Sequence, residues 1–222
     1  MSAPHAQDEL QRLYERRFAG TRDYRNQVWQ VLVDAYFARW LPPEGAVLDL
    51  GCGHCEFINH VRSDTRFGLD LNPDAVKHAA PGVRILTQHA SERWALSDAS
   101  LDVVFTSNFL EHLPTKRDLR EALAEAYRCL RPGGVLIALG PNVRYLPGAY
   151  WDFFDHYIPL TERSLAEVMA DVGFTVQEQI PRFLPYTMSQ GCRPPIWLLR
   201  LYLRLKIAWP LVARQFLVMA KK

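Results

Sequence analysis

The chain has 222 residues, of which 49 % are hydrophobic and 23 % are charged. These values predict one globular domain, or one domain with a small addition, and they exclude disordered and collagen-like proteins. Four cysteines in a chain of this length argue against a small disulfide-stapled protein and favour a reducing compartment.

The formal net charge of +2 is unevenly distributed along the chain. Residues 179–222 contain eight basic residues and no acidic one, so residues 1–178 hold the other 18 basic residues and all 24 acidic ones, a net charge of −6. A basic C-terminal segment on an acidic body favours attraction to phosphates or to an anionic membrane surface.

The first residues of the sequence are informative about the cellular location of the protein. Residues 1–8 lack the basic and apolar segments of a secretory signal, and there is no run of about 18 apolar residues to span a bilayer. We therefore expect a cytoplasmic location, either free or attached peripherally to a membrane surface. The sequence predicts no oligomeric state.

The N-terminal segment, residues 1–45, is predicted to be helical. Apolar residues recur at a period near 3.6 over residues 8–40, with a break at Gly20 and Thr21, and the Pro-Pro-Glu-Gly run at 42–45 ends the pattern. We interpret this segment as a lid, and the residues expected to cover a ligand are Tyr14, Arg16, Arg17 and Phe18. The alternative is a helix packed against the edge of a sheet.

Residues 46–222 are predicted to form the core domain, with α/β architecture. Predicted strands at 46–50, 66–70, 83–86, 101–105, 134–139, 174–180 and 215–220 alternate with predicted helices at 55–61, 73–78, 115–130 and 161–172. The last of these helices has Thr161 as N-cap and Gly173 as C-cap. This alternation predicts a parallel sheet with helices on both faces, and right-handed crossovers place the strand carboxyl ends at one ligand-binding edge.

A glycine-rich turn after the first strand predicts a nucleoside cofactor. Asp49-Leu50-Gly51-Cys52-Gly53 allows a tight turn and a close approach of the backbone to a ligand. Asp70, 19 residues after Gly51, ends the next strand, where a carboxylate accepts hydrogen bonds from ribose hydroxyls. A dinucleotide loop has a third glycine where this chain has Glu56, and a carboxylate there would repel a pyrophosphate.

Four segments carry a resemblance to a known family. They are residues 47–53 (VLDLGCG), 68–71 (GLDL), 101–113 (LDVVFTSNFLEHL) and 130–136 (LRPGGVL). In this order and spacing the chain resembles a class I S-adenosylmethionine-dependent methyltransferase, over residues 46–180 and the final strand. The resemblance implies a Rossmann-like three-layer sandwich with a seven-stranded sheet, an antiparallel last strand, and S-adenosylmethionine as cofactor.

The resemblance also assigns cofactor-binding residues by position. The loop residues Asp49, Gly51, Cys52 and Gly53 correspond to the methionine end, Asp70 to the ribose and Leu71 to the adenine. At the adenine amino group the family often has an aspartate, where this chain has His89 followed by Ala90. The sulfonium pocket corresponds to Asn108 and Phe109. Cys52 and Cys55 also have the spacing of a redox or zinc pair, but the sequence has no second pair to complete a zinc site.

The acceptor side is predicted from groups that follow the fourth and fifth strands. An oxygen acceptor needs a proton sink, and the candidate bases are His112 and His156, with Asp152 and Asp155 as orienting groups. The alternative for the histidines and for the aromatic run at 145–157 is a structural role. The aromatic and acidic run also resembles methyltransferases encoded among bacterial polysaccharide genes, which implies a sugar hydroxyl of a glycan or glycolipid, or a small metabolite, as acceptor. We expect no metal.

The segment 182–214 is longer than a connection between two neighbouring strands requires. Within it, residues 196–209 combine apolar positions with Arg200 and Arg204 on one helical face. We interpret residues 193–214 as a basic amphipathic element that either lies in a membrane interface or packs as a cap on the fold or a second subunit. Nucleic acid is not an expected partner. The functional alternatives are a noncatalytic scaffold with the same fold and an NAD oxidoreductase.

Overall fold

The computed structural model describes residues 20, 22–186 and 193–222. The predicted covering residues Tyr14, Arg16, Arg17 and Phe18 lie outside the described residues, as does Cys192. The assignment of residues 1–45 as a lid therefore stays a prediction.

The core of the molecule is a seven-stranded sheet. Its strands are β1 (Ala46–Leu50), β2 (Thr65–Asp70), β3 (Val83–Thr87), β4 (Leu101–Ser107), β5 (Leu130–Pro141), β6 (Thr175–Leu184) and β7 (Gln215–Lys221). They lie in the order β3-β2-β1-β4-β5-β7-β6. Only β7 runs antiparallel to its neighbours. The predicted Rossmann-like α/β fold with an antiparallel last strand is confirmed.

Six helices accompany the sheet in the described part of the chain. They are α1 (Arg22–Ala35), α2 (Ala75–His78), α3 (Lys116–Cys129), α4 (Glu162–Val172), α5 (Ile196–Arg204) and α6 (Trp209–Val212). Thr115 and Thr161 each accept a hydrogen bond from the third helical residue and so cap α3 and α4. Gly173, with φ of 117°, ends α4 in the left-handed conformation. None of the described helices is long and apolar enough to cross a bilayer.

The predicted helix at 55–61 is wrong. The chain after β1 forms turns and then a single 3-10 turn, Ile58–His60. Gly51, Gly53 and Cys55 all have positive φ, between 48° and 74°, and this alternation is incompatible with a helix that starts at residue 55. The other core elements are confirmed with shifted ends, and the largest shifts are at the start of β5, at Leu130, and at the end of β6, at Leu184.

The sheet has a separate apolar core on each face, because successive side chains of a strand alternate between faces. Leu48 and Val104 point to the face covered by α3 and α4. Val103 and Phe105 point to the face covered by α1, α5 and α6. On that second face the ring of Phe105 stacks on Phe57 at 3.7 Å, which anchors the segment after the glycine turn. Helix α1 thus belongs to the packed core of this face.

A buried ion pair ties α1 to the turn after β1. Arg25 Nε and Nη2 both donate to Glu56 Oε2, at 3.0 and 2.5 Å. Both side chains are only 8 % exposed, so neither charge is hydrated well enough to persist alone.

We expect the two halves of this pair to behave as a unit. Removing one partner by Arg25→Met or Glu56→Leu lowers the free energy of unfolding by about 3–5 kcal/mol, because the other charge stays buried. The double variant regains most of that loss. Urea denaturation of the wild type, the two single variants and the double variant measures the coupling energy between Arg25 and Glu56. If the losses in free energy of unfolding of the single variants simply add in the double variant, the two residues are not coupled.

Candidate active site

The glycine turn after β1 is closed by the segment after β4. Gly51 has φ of 74° and its N–H donates to the carbonyl of Leu69 at 2.8 Å. Any side chain at position 51 would collide with the ring of Phe109. The first and third of the four family-like segments therefore meet in space, at the carboxyl edge of the adjacent parallel strands β1 and β4.

Asp70 lies directly beside the glycine turn. Its Oδ2 accepts a hydrogen bond from the Gly53 amide at 2.8 Å, and its Oδ1 accepts from the Asn72 amide at 2.9 Å. Burial raises the pKa of this carboxyl, and the amide hydrogen bonds oppose that change. The two parts of the predicted nucleoside site are thus joined by a direct contact.

Asp49 gives the turn an unusual charge environment. The residue is 4 % exposed, and burial together with the nearby Asp70 raises its pKa well above the usual range. A buried carboxyl of this kind is stabilised as an anion by a cationic ligand and destabilised by a phosphate. The site therefore fits S-adenosylmethionine, which has an ammonium and a sulfonium group, better than a dinucleotide.

Glu56 disfavours a dinucleotide less than its charge in the sequence predicts. The charge of Glu56 is compensated by Arg25, to which it is bound. The discrimination lies instead with Asp49 and Asp70. Burial raises the pKa of both carboxyls, and the charge of Asp70 adds to the effect on Asp49, so a phosphate beside them would be disfavoured.

The three residues predicted near the adenine have different surroundings. Leu71 follows Asp70 and is 41 % exposed. Ala90 is buried, and its carbonyl accepts a hydrogen bond from the Trp94 indole at 2.9 Å. His89 Nδ1 lies 2.7 Å from the Ser91 hydroxyl. Their roles toward the adenine stay predictions.

Asn108 begins the segment predicted to line the sulfonium pocket. It has φ of 49°, its amide N–H donates to the Leu139 carbonyl at 2.9 Å, and its Nδ2 donates to Ser107 at 2.9 Å. Its Oδ1 is buried and has no hydrogen-bond partner among the described residues. The left-handed backbone at Asn108 turns the chain at the end of β4 and presents Phe109 to Gly51.

A second cluster of polar side chains lies just beyond this turn. The His112 and His156 rings are 4.8 Å apart, and His112 Nδ1 lies 2.8 Å from the Asp155 carbonyl and 3.3 Å from its carboxylate. Predicted catalytic residues from two separate loops are thus brought together. Asp152 is exposed in the 3-10 turn Ala149–Asp152, and no described contact joins it to these histidines.

Glu111 belongs to this cluster, although the sequence analysis assigned it no role. It is 2 % exposed, its Oε1 lies 4.0 Å from His112 Nε2, and its carbonyl accepts the amides of Tyr157 and Ile158. The sequence signal that would have pointed to Glu111 is its position between Leu110 and His112 in the third family-like segment.

The cluster is electrostatically coupled. Burial raises the pKa of Glu111 to about 7, against the opposing effect of His112. Burial lowers the pKa of His112, but the hydrogen bond to Asp155 and the charges of Asp155 and Glu111 outweigh it, so the net change is upward. The pKa of Glu111 therefore lies near neutral pH, as a proton-transfer group requires.

The same three side chains have the composition of a metal-ligand set. Glu111, His112 and His156 each offer one ligand atom, and these atoms lie within 4.8 Å of one another. The expectation of no metal at the acceptor edge was made without this cluster, and it stays a prediction.

The cysteine pair after β1 is not oxidised. Cys52 and Cys55 are buried free thiols with their Sγ atoms 3.9 Å apart. The hydrogen bond with Cys55 and burial raise the pKa of Cys52, which disfavours the thiolate needed for redox chemistry or zinc binding.

We expect Glu111 to make stability depend on pH. Its carboxyl titrates near 4.5 in the unfolded chain and near 7 in the folded one, so the folded state binds more protons between these values. Stability from this group is present below pH 4.5 and is lost as pH rises to 7. Relative to Glu111→Gln, the free energy of unfolding of the wild type should fall by about 2–3 kcal/mol over this window.

Urea denaturation of the two proteins at a series of pH values measures this difference. Glu44→Gln, at an exposed position, is the control and should follow the wild type. If the free energy of unfolding depends on pH in the same way in the wild type and in Glu111→Gln, the pKa of the Glu111 carboxyl is not raised by folding.

Comparison with known proteins assigns the family. A family model described as a methyltransferase domain matches residues 21–179. A probable S-adenosylmethionine-dependent methyltransferase of Mycolicibacterium smegmatis is 32 % identical over 143 residues, which cover 62 % of this chain and 54 % of the relative. A malonyl-[acyl-carrier protein] O-methyltransferase of Dechloromonas aromatica is 35 % identical over 130 residues, 55 % of this chain and 47 % of the relative.

The chain spans about half the length of these curated relatives. Among solved structures, a methyltransferase in complex with the Haloferax volcanii Trm112 activator superposes with a TM-score of 0.69 at 20 % identity, over 97 % of this chain and 96 % of that one. This likeness shows a shared fold. Because the methyltransferase-domain model matches most of the chain, and the fold and the cofactor loop agree with it, the chain belongs to the class I S-adenosylmethionine-dependent methyltransferases.

Proposed function

We propose that this chain transfers a methyl group from S-adenosylmethionine to a hydroxyl oxygen, on a sugar of a glycan or glycolipid or on a small metabolite. The observation that carries the proposal is the cluster of buried Glu111 and His156 with partly buried His112, which begins two residues after Phe109. An oxygen nucleophile loses a proton as it is methylated, and this cluster offers acceptors for that proton beside the predicted sulfonium pocket.

The chemistry is divided between the cofactor and the protein. When bound, S-adenosylmethionine supplies an electrophilic methyl group on a sulfonium. The turn at Gly51 to Gly53 and Asp70 hold the nucleoside, and Asp49 compensates the positive charge of the methionine end. Orientation of the acceptor for in-line attack lowers the barrier by about 7–11 kcal/mol.

The rings of His112 and His156 are held in place by different contacts. His112 Nδ1 faces the Asp155 carbonyl at 2.8 Å, which fixes the ring and leaves Nε2 toward Glu111. His156 is 7 % exposed, and its ring stacks on Phe153 at 5.0 Å. We assign proton acceptance to the two imidazoles and the orienting role to Asp155, as in other buried carboxylate–histidine pairs.

The acceptor class is supported by the surface around the cluster. Trp151, Phe154 and Tyr157 expose between 49 % and 90 % of their side chains in the loop that contains Asp155 and His156. Exposed aromatic faces are suited to the apolar faces of sugar rings. The Dechloromonas relative is itself named an O-methyltransferase. A cytoplasmic location, where S-adenosylmethionine is made, is part of the proposal.

We expect turnover to depend on the two imidazoles. The assay follows transfer of tritium from methyl-labelled S-adenosylmethionine to a panel of glycosides and small hydroxyl compounds. On an acceptor so identified, His112→Asn and His156→Asn should each lower kcat by about 10²–10⁴-fold, because general-base catalysis contributes that factor. Binding of S-adenosylhomocysteine should be unchanged.

His60→Asn is the matched control, because His60 lies in the 3-10 turn before β2, away from the cluster. Wild-type turnover in both histidine variants would refute the assignment. Cofactor binding without turnover on any acceptor would instead favour the alternative, a noncatalytic scaffold of a glycan-assembly or membrane complex. A parallel assay in EDTA reports whether the Glu111, His112 and His156 set works with a bound metal.

A further inference from the structure

An apolar cavity of about 210 Å³ opens between the sheet and two helices. Helix α1 contributes Val28 and Trp29, helix α5 contributes Leu198 and Leu199, and the sheet edge contributes Leu139 and Gln215. Asn108, from the predicted sulfonium pocket, also lines it. The cavity thus connects the insertion before β7 with the site of methyl transfer.

The size and lining of the cavity indicate what it binds. Pockets that enclose a whole drug-sized ligand measure about 300–1,000 Å³, so this cavity suits one apolar segment of a larger molecule. Asn108 and Gln215 each keep a buried amide oxygen without a hydrogen-bond partner among the described residues. Polar acceptors therefore lie at the sheet side of an otherwise apolar space, which is the arrangement expected for a chain attached to a hydroxyl-bearing group.

The outer side of α5 and the segment up to α6 form a surface that we call the α5–α6 surface. Its apolar side chains are 40–85 % exposed: Trp197, Leu198, Leu201, Leu205, Ile207, Leu211 and Val212. Arg200, Arg204 and Lys206 are exposed beside them and make no ion pair among the described residues. Exposed apolar area on this scale, bordered by one sign of charge, marks an interaction site.

This surface is held firmly on the protein. The Tyr202 hydroxyl donates to the Phe183 carbonyl at 2.7 Å, and the Trp209 indole donates to the Tyr202 carbonyl at 3.0 Å. The Tyr24 hydroxyl of α1 donates to the Pro194 carbonyl at 2.8 Å. The α5–α6 surface therefore presents Trp197 of α5 and Ile207 of the following 3-10 turn to solvent in fixed positions, although burying them would be favourable.

We propose that the cavity binds the apolar tail of an amphiphilic acceptor, and that the α5–α6 surface rests on an anionic lipid membrane from which that acceptor is taken. Because no acidic residue occurs after Glu178, the charge of this surface is complementary to anionic headgroups. Apolar side chains set between basic ones match the two layers of a membrane interface. Naming this acceptor class rests on the proposed function.

Nucleic acid fits the surface less well. The side chains that separate the basic residues are mainly aliphatic, whereas proteins that bind single-stranded nucleic acid stack the bases on aromatic side chains. A second copy of the chain would have to place the same arginines against each other across a two-fold axis.

The first test measures binding to vesicles. The full chain should co-sediment with vesicles of phosphatidylcholine mixed with phosphatidylglycerol and not with phosphatidylcholine alone. Arg200→Gln/Arg204→Gln should weaken binding about 30-fold, because each basic residue contributes about 1 kcal/mol at an anionic surface. The matched control, Arg62→Gln/Arg93→Gln, removes the same charge from exposed sites elsewhere and should bind as the wild type does.

The second test measures occupation of the cavity. Titrations use octyl β-glucoside below its micelle concentration and methyl β-glucoside, with and without S-adenosylhomocysteine. Only the octyl compound should bind. Leu198→Trp, at a half-exposed position, and Val28→Trp fill the cavity and should weaken octyl binding at least about tenfold, since losing two buried methylenes reaches that factor.

The outcomes separate the two proposals. Three results would overturn the inference while S-adenosylhomocysteine still binds. The two glucosides could bind equally well, or the tryptophan variants could bind the octyl compound as the wild type does. Vesicle binding could also be unchanged in the Arg200→Gln/Arg204→Gln variant. Failure of S-adenosylhomocysteine to bind would overturn the proposed function, and the vesicle and octyl titrations would still decide this inference.

Discussion

The constraint on which the site depends is the absence of a side chain at Gly51. The backbone there turns with positive φ directly under the ring of Phe109, so the ends of β1 and β4 come closer than any larger residue would allow. This close approach places the Gly53 amide on Asp70 and presents Asn108 and Phe109 to the same space. The parallel pairing of β1 with β2 and β4 supplies the frame for the glycine turn, which is the predicted cofactor site.

Buried carboxyl groups near the two sites are the second theme of the molecule. Asp49 and Asp70 lie together at the cofactor turn, and Glu111 lies with Asp155 beside the two histidines. Burying a carboxylate is costly unless it gains hydrogen bonds or an opposite charge. Burial raises the pKa of Asp49 well above its usual range, so this group in its charged form lowers the stability of the ligand-free protein. Arg25 and Glu56 differ from these carboxyl groups, because the two buried side chains form an ion pair that fixes α1 to the turn after β1.

Much of the fold and of the cofactor turn could be predicted from the sequence, because both depend on local patterns. The strands are short apolar runs, and Gly51, Gly53 and Asp70 have a spacing that only a strand–turn–strand unit explains. The helix predicted at 55–61 failed because the positive φ of Cys55 is set by the packing of the turn and not by helix propensity. Glu111 and the cavity beside α5 were missed because both arise from contacts between residues distant in sequence, such as Glu111 with His156 and Val28 with Leu199.

The central claim is that the turn and Asp70 bind S-adenosylmethionine, and calorimetric titration tests it most directly. The wild type should bind S-adenosylmethionine and S-adenosylhomocysteine and should not bind NAD. Asp70→Ala should weaken binding about 100-fold, because two hydrogen bonds to a charged group are lost, whereas exposed Asp64→Ala should have no effect. Binding of NAD to the wild type would contradict the account, and so would equal affinity of the wild type and Asp70→Ala for S-adenosylmethionine.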